Sequence, residues 1–212
     1  KLCFTRVFAE NSSLGEISTS AADAVGGGIL LLVSVPFVQA KISPASSYHE
    51  FIEGVGAFLI VVAIVGRTWC ALYIGGRKLK ELVQCGPYSI VRNPLYVFSL
   101  FGVVGICLGT GSFILTSIIA LVSALIFRHL ICLEERALLD QFGPAFTEYA
   151  ARVPRLRPRF SLWRDAVTVD VIPKRVLRTF CDAALMLLAL PAWDLIDTLQ
   201  QMQILRVLLY LP

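Results

Sequence analysis

Charge is scarce in this sequence. Only 16% of the 212 residues are Asp, Glu, Lys or Arg, against about 25% in soluble domains. Hydrophobic residues make up 57%, and the mean hydropathy is +0.75. That balance excludes a soluble globular enzyme, a disordered chain and a collagen-like one. Histidine is nearly missing, with His49 and His129 alone. The six cysteines (Cys3, Cys70, Cys85, Cys107, Cys132 and Cys181) form no C-x-x-C pair, and several lie in apolar stretches. Neither a disulfide framework nor a zinc site has usable spacing. No cleavable signal peptide is expected, since no basic start, short apolar stretch and small-residue site follow one another. A net charge of +4 is too small to point to nucleic acid. What remains is an all-α, polytopic integral membrane protein of one domain, 1–212.

A membrane span needs about 20 mostly apolar residues. Ala21–Ala40 fits, with Gly26, Gly27 and Gly28 open to close helix packing and Pro36 near its end. Lys41–Glu50 reads as a short polar loop, and Gly54–Ile74 as a second span. Arg67 lies inside that span, where it either snorkels to the interface or faces a polar cavity. Leu95–Phe127 carries no charge in 33 residues. One helix of that length runs about 50 Å, too long for a ~30 Å hydrocarbon core. Gly109-Thr110-Gly111-Ser112 near its middle carries turn chemistry. The expectation is two short antiparallel helices in a tight hairpin, with Gly102, Gly105 and Gly109 at close contacts. After Arg128 the chain turns charged. Arg128–Asp165, interrupted by Pro144, Pro154 and Pro158, is expected to be a partly helical segment outside the lipid. Lys174–Pro212 is apolar again but holds Asp182, Asp194, Asp197 and Arg206, with Pro191 breaking its longest run. It is either a further span or an interfacial amphipathic helix pair. The chain thus divides into two N-terminal spans (21–74), a hairpin segment (75–165) and a C-terminal apolar segment (174–212), with four to five transmembrane helices in all.

Basic residues set the orientation. Gly75–Asn93 carries Arg77, Lys78, Lys80 and Arg92, and Arg128–Arg164 carries seven arginines, whereas the opposite loops carry only Lys41. Both basic segments are expected at the cytoplasmic face.

Two polar constellations flank the hairpin. The first is Gly86-Pro87-Tyr88-Ser89-Ile90-Val91-Arg92-Asn93-Pro94-Leu95-Tyr96. The second is Glu134-Glu135-x-x-Leu138-x-x-x-Phe142-Gly143, followed by Tyr149 and Val153-Pro154-Arg155. A hairpin brings its two ends to one membrane face, so together they can wall a pocket. Taken singly, each part has a plainer reading. Pro87 and Pro94 terminate helices, Tyr96 suits an interfacial aromatic belt, and the glutamates suit a solvated helix. Arg152, Arg155, Arg157 and Arg159 suit anionic head groups.

As a pair, the patterns G-x-Y-S-x-x-R-N-P-x-Y and E-E-x-x-L-x-x-x-F-G resemble the membrane methyltransferases typified by isoprenylcysteine carboxyl methyltransferase and the phospholipid methyltransferases. The resemblance runs from about Arg67 to about Arg159. It implies S-adenosylmethionine as methyl donor, membrane lipids as surroundings, and a lipophilic small-molecule or lipidated acceptor with a carboxylate, amine or hydroxyl head. It assigns Tyr88, Asn93, Pro94, Leu95 and Tyr96 to the cofactor pocket, with Glu81, Leu82 and Val83 before them. Glu134 would meet the cofactor's amino-acid end. Arg128, His129 and Glu135 are the candidates to orient or deprotonate the acceptor. The pattern departs from the prenylcysteine enzymes at two places. Asn93 stands where those have histidine, and Leu130 where they have a substrate-reading arginine, which puts a prenylcysteine acceptor in doubt. An NADPH-dependent membrane reductase of steroid-reductase type and a non-catalytic lipid-binding scaffold are the alternatives.

Overall fold

The computed structural model describes residues 38–40, 47–75, 81–202 and 209–211. Helix dominates. Helix α1 is Ser47–Ile74, α2 Pro87–Ile90, α3 Pro94–Leu108, α4 Phe113–Phe142, α5 Pro144–Arg152, α6 Pro173–Ala184 and α7 Ala189–Gln201. Among the described residues, the only strands are β1 (Val38–Ala40) and β2 (Leu209–Leu211), a three-residue parallel pair with Val38 opposite Leu209. Apart from that pair, the expected first span, Ala21–Ala40, lies outside the described residues.

Three helical stretches among the described residues are long and apolar enough to cross a membrane: Glu50–Ile74, Phe113–Phe142 and Pro173–Gln200. The chain is therefore a polytopic, all-helical membrane protein. Helix α1 starts earlier than expected. Ser47–Glu50 is already helical, not loop, and Glu50 in the first turn suits the positive end of the helix dipole.

The expected hairpin forms. Helix α3 ends at Leu108, and the turn is held by Thr110 N–H to Cys107 O (3.0 Å) and Gly111 N–H to Leu108 O (2.9 Å). Gly111 takes a φ of 68°, a region that favours glycine. Ser112 then caps α4 by accepting from the Leu115 N–H. The two arms are unequal, contrary to expectation. Helix α3 has 15 residues, about 22 Å, whereas α4 has 30, about 45 Å. The change of composition at Arg128 does not break α4. It marks where the helix can leave the lipid, and the real stop is Gly143 (φ 52°) followed by Pro144 at the start of α5.

The C-terminal segment is one helical run. Pro191 does not end it. A 3₁₀ turn at Leu185–Leu188 joins α6 to α7, and it contains Leu187, whose carbonyl would face the missing proline donor. This run packs on the other helices. Ile60 and Ile64 of α1 meet Ala183, Met186, Leu190 and Ile106, and Trp193 of α7 meets Cys107 and Ile119. Helices α1 and α3 approach closely through glycines. A Cβ on Gly56 would stand 2.8 Å from the Gly105 carbonyl oxygen, and one on Gly105 would stand 2.6 Å from that of Gly56.

Candidate functional site

The segment between α1 and α3 is irregular up to Gly86, whose φ of 59° turns the chain into the single turn of α2. Everything in that turn is buried, from Pro87 to Ile90. Its backbone is bound to a strap that follows α5. Gly86 N–H donates to Arg164 O (2.8 Å), Arg92 N–H to Pro154 O (2.9 Å) and Arg159 N–H to Ile90 O (3.0 Å). The Ser89 hydroxyl accepts from Arg164 N–H at 3.0 Å. Below the strap, Phe146, Tyr149 and Val153 form a small core with Leu82, Leu138 and Phe142. Tyr149 donates its hydroxyl to the Tyr88 carbonyl at 2.7 Å. Burial pushes the phenols of both Tyr88 and Tyr149 above the ordinary tyrosine range.

The two sequence constellations meet at the end of this arrangement. Glu135 of α4 is only 8% exposed, and three side chains converge on its carboxylate. Arg155 reaches Oε2 through Nη2 (2.6 Å) and Nε (3.0 Å). Arg92 approaches Oε1 at 3.3 Å, and Asn93 donates Nδ2–H to the same oxygen at 3.2 Å. Asn93 Nδ2 also lies 3.4 Å from the Arg155 carbonyl. One residue earlier on α4, Glu134 accepts from the Tyr96 hydroxyl at 3.0 Å. The Tyr96 ring rests 5.4 Å from that of Phe127, two turns back along α4. Two carboxylates and two guanidiniums thus occupy one corner, with one carboxylate enclosed by both cations and the other held by a phenol.

Asn93, Tyr96, Glu134 and Glu135 are therefore brought together. Pro94 is fully buried at the first position of α3. Leu95 is half-buried and lends its carbonyl to Ser99. Leu82 packs into the small core, Val83 is half-buried and Glu81 is exposed. Arg128 and His129 are exposed on α4. Arg128 sits seven residues before Glu135, about 10 Å along the axis. Among the described residues, no hydrogen bond or ion pair joins either of them to the cluster. Arg155 is the residue that the sequence reading left among surface arginines, and it grips Glu135. Its signal was its place in Val153-Pro154-Arg155, the run that closes the second constellation.

One comparison with known proteins falls on this same region. Residues 53–145 match the family model described as phospholipid methyltransferase. The chain is 44% identical over 128 residues to the cobalt-zinc-cadmium resistance protein CzcN of Cupriavidus metallidurans, covering 60% of this chain and 59% of that protein. It is 44% identical over 129 residues to the nickel-cobalt-cadmium resistance protein NccN of Alcaligenes xylosoxydans xylosoxydans, covering 61% and 60%. The match thus spans about three fifths of the length of these curated relatives. No solved structure matches. Residues 53–145, which hold Tyr96, Glu134, Asn93, Arg92 and Glu135 of the cluster but not Arg155, are thus similar to the phospholipid methyltransferase family.

Proposed function

We propose that this protein transfers a methyl group from S-adenosylmethionine to a lipophilic acceptor at the cytoplasmic membrane face. The observation that carries this reading is the junction of the two motifs, with Tyr96 on Glu134 and Asn93 on Glu135. The donor set fits the proposed cofactor. A carboxylate suits an α-ammonium, and charge-assisted hydrogen bonds are roughly twice as strong as neutral ones. When bound, S-adenosylmethionine supplies an electrophilic methyl group whose transfer leaves a neutral thioether.

The chain's own residues do the rest by positioning. Glu134 receives the ammonium, and Tyr96 fixes the rotamer of Glu134. Glu135 is a positioning residue on this reading. Its carboxylate is held by two guanidiniums and an amide, which keeps the Arg92–Asn93 corner and the strap in place, so it is not the base. Arg128 and His129, on the part of α4 that leads into the lipid, are the candidates to orient or deprotonate the acceptor. The phenols of Tyr88 and Tyr149 stay neutral, which keeps the pocket wall uncharged. Arg92, Arg152, Arg155, Arg157, Arg159 and Arg164 gather at this end of the bundle, which supports a cytoplasmic orientation. By analogy with the relatives' names, the methylated product would serve metal resistance.

The test is calorimetric binding of S-adenosylhomocysteine to the detergent-purified protein, with Glu134→Gln and NADPH alongside. Micromolar binding weakened at least tenfold in the variant supports the reading. Folded wild type that ignores S-adenosylhomocysteine but binds NADPH replaces it with a reductase, and binding of neither replaces it with a lipid-binding scaffold.

A further inference from the structure

Arg67 plays no part in the cluster described above. It lies within the membrane-length stretch Glu50–Ile74, seven residues and about 10 Å before the end of α1. A cation at that depth costs several kcal/mol unless it is paired or serves a site. Its Nη1 donates to the Ser99 hydroxyl of α3, and that hydroxyl in turn donates to Leu95 O at 2.8 Å. Its Nε is buried and without a hydrogen-bond partner. Among the described residues no carboxylate stands within 4 Å of it. Asp182 of α6 acts on it electrostatically, but Asp182 is exposed and lies 4.0 Å from Arg178. The charge therefore has a neutral partner and an unfilled donor where an anion is expected.

Its position relative to the proposed cofactor pocket matters. Ser99 follows Tyr96 by three residues on α3, so the two are neighbours on the helix surface, about 4.5 Å apart along the axis. Tyr96 contacts Glu134, and Arg67 contacts Ser99. The guanidinium thus bonds to a residue about one turn further along α3 than the one that carries the phenol. A donor entering from water and an acceptor entering from lipid would meet across that turn.

We propose that Arg67, supported by Ser99, is an intramembrane anion site that seats the acidic part of the lipophilic acceptor. This deepens the methyltransferase reading and rests on it. The planar fork of a guanidinium matches the two oxygens of a carboxylate or a phosphate, and the proposal takes an amphiphile carrying either. The anionic group is held on the bilayer side while the nucleophilic atom faces the donor.

The experiment uses the full chain in detergent and needs no turnover. Oleate and dioleoyl phosphatidic acid are the anionic probes, with oleyl alcohol and diolein as neutral controls, each titrated calorimetrically with and without S-adenosylhomocysteine. In the wild type at least one anion binds tenfold or more tightly than its neutral control. Preference for oleate identifies a carboxylate as the seated acidic part, and preference for phosphatidic acid a phosphate. Arg67→Gln abolishes the preference and leaves S-adenosylhomocysteine affinity within twofold. Arg67→Lys retains part of it. Ser99→Ala, which keeps the charge, weakens it a few-fold and covers the case in which Arg67→Gln fails to fold. Equal affinity for anion and control in the wild type, or a preference that survives in Arg67→Gln, overturns the proposal. Parallel loss of S-adenosylhomocysteine binding in Arg67→Gln overturns it too, because Arg67 then belongs to the cofactor pocket or braces it. Failure of the wild type to bind S-adenosylhomocysteine removes the methyltransferase reading, and this inference falls with it.

Discussion

The hydroxyl of Tyr96 stands 3.0 Å from the carboxylate of Glu134, joining residues 38 positions apart in sequence. The hairpin makes this possible. Tyr96 is in the first turn of the short arm, and Glu134 is six turns into the long one. The contact orients the Glu134 carboxylate with a neutral donor.

That division of labour predicts unequal effects. Glu134→Gln removes the charge and should raise the S-adenosylhomocysteine dissociation constant at least tenfold, about 1.4 kcal/mol or more. Tyr96→Phe removes only the orienting hydrogen bond and should raise it about three- to tenfold, in line with about 1 kcal/mol for one neutral donor. Calorimetry on the purified variants reads both. An equal loss in the two would mean that the phenol itself touches the ligand.

Glu135 should behave as a stability residue. Its carboxylate is buried and bridges Arg92 and Arg155, so Glu135→Gln leaves two guanidiniums facing each other without their counter-charge. Breaking a buried pair typically costs about 3–5 kcal/mol. Here the Arg155 side chain is 43% exposed, so about 2–3 kcal/mol is expected. The arginines should rank by burial. Arg92, 15% exposed, should cost more on truncation to alanine than Arg155. Thermal unfolding in detergent measures all three, and a Glu135→Gln protein as stable as wild type would contradict the clasp.

How much of this was legible beforehand depends on the kind of signal. The hairpin announced itself through 33 uncharged residues with Gly-Thr-Gly-Ser in the middle, because lipid admits no charge and a turn needs glycine. The extent of α4 did not, since a run of charges after Arg128 marks the edge of the lipid and says nothing about whether the backbone hydrogen bonds continue. Gly143-Pro144, the actual stop, sat in plain view inside the second motif. The partners of Glu135 were hidden for a different reason. Arg155 lies in an irregular, proline-punctuated strap with no period that fixes where it points, and a carboxylate reads as exposed until its cations are placed beside it.

The glycines on α1 and α3 offer a test of packing. Gly56 and Gly105 each face the other's carbonyl oxygen, at 2.8 and 2.6 Å from where a Cβ would sit. Backbone oxygens cannot swing aside as a side-chain tip can, so the helices must separate. Gly105→Ala should cost about 1–3 kcal/mol despite alanine's better helix propensity. Gly54→Ala, with nothing within 4 Å of its Cβ position, should be neutral or slightly stabilising. Melting temperatures of the two variants compare an open glycine with a confined one on the same protein, and equal shifts would refute the close approach.

Alkaline pH gives the last test. Tyr149 donates to the Tyr88 carbonyl, and burial is the main cause that raises both phenols above the ordinary value near 10. A tyrosine whose folded pKa lies above its unfolded one contributes stability that is fully present below pH ~10 and declines as pH rises through the folded value. The protein should therefore hold constant stability, as far as these groups are concerned, from neutrality to about pH 10 and lose it above. Tyr149→Phe should lower stability at neutral pH by about 1–3 kcal/mol, because it strands a buried carbonyl. It should also flatten the alkaline decline, because one of the two raised phenols is gone. Urea or thermal unfolding across pH 7–11 for wild type and variant separates these effects. A variant that is less stable at neutral pH yet declines as steeply as wild type above pH 10 would show that Tyr149 serves as a hydrogen-bond donor but is not the group that titrates.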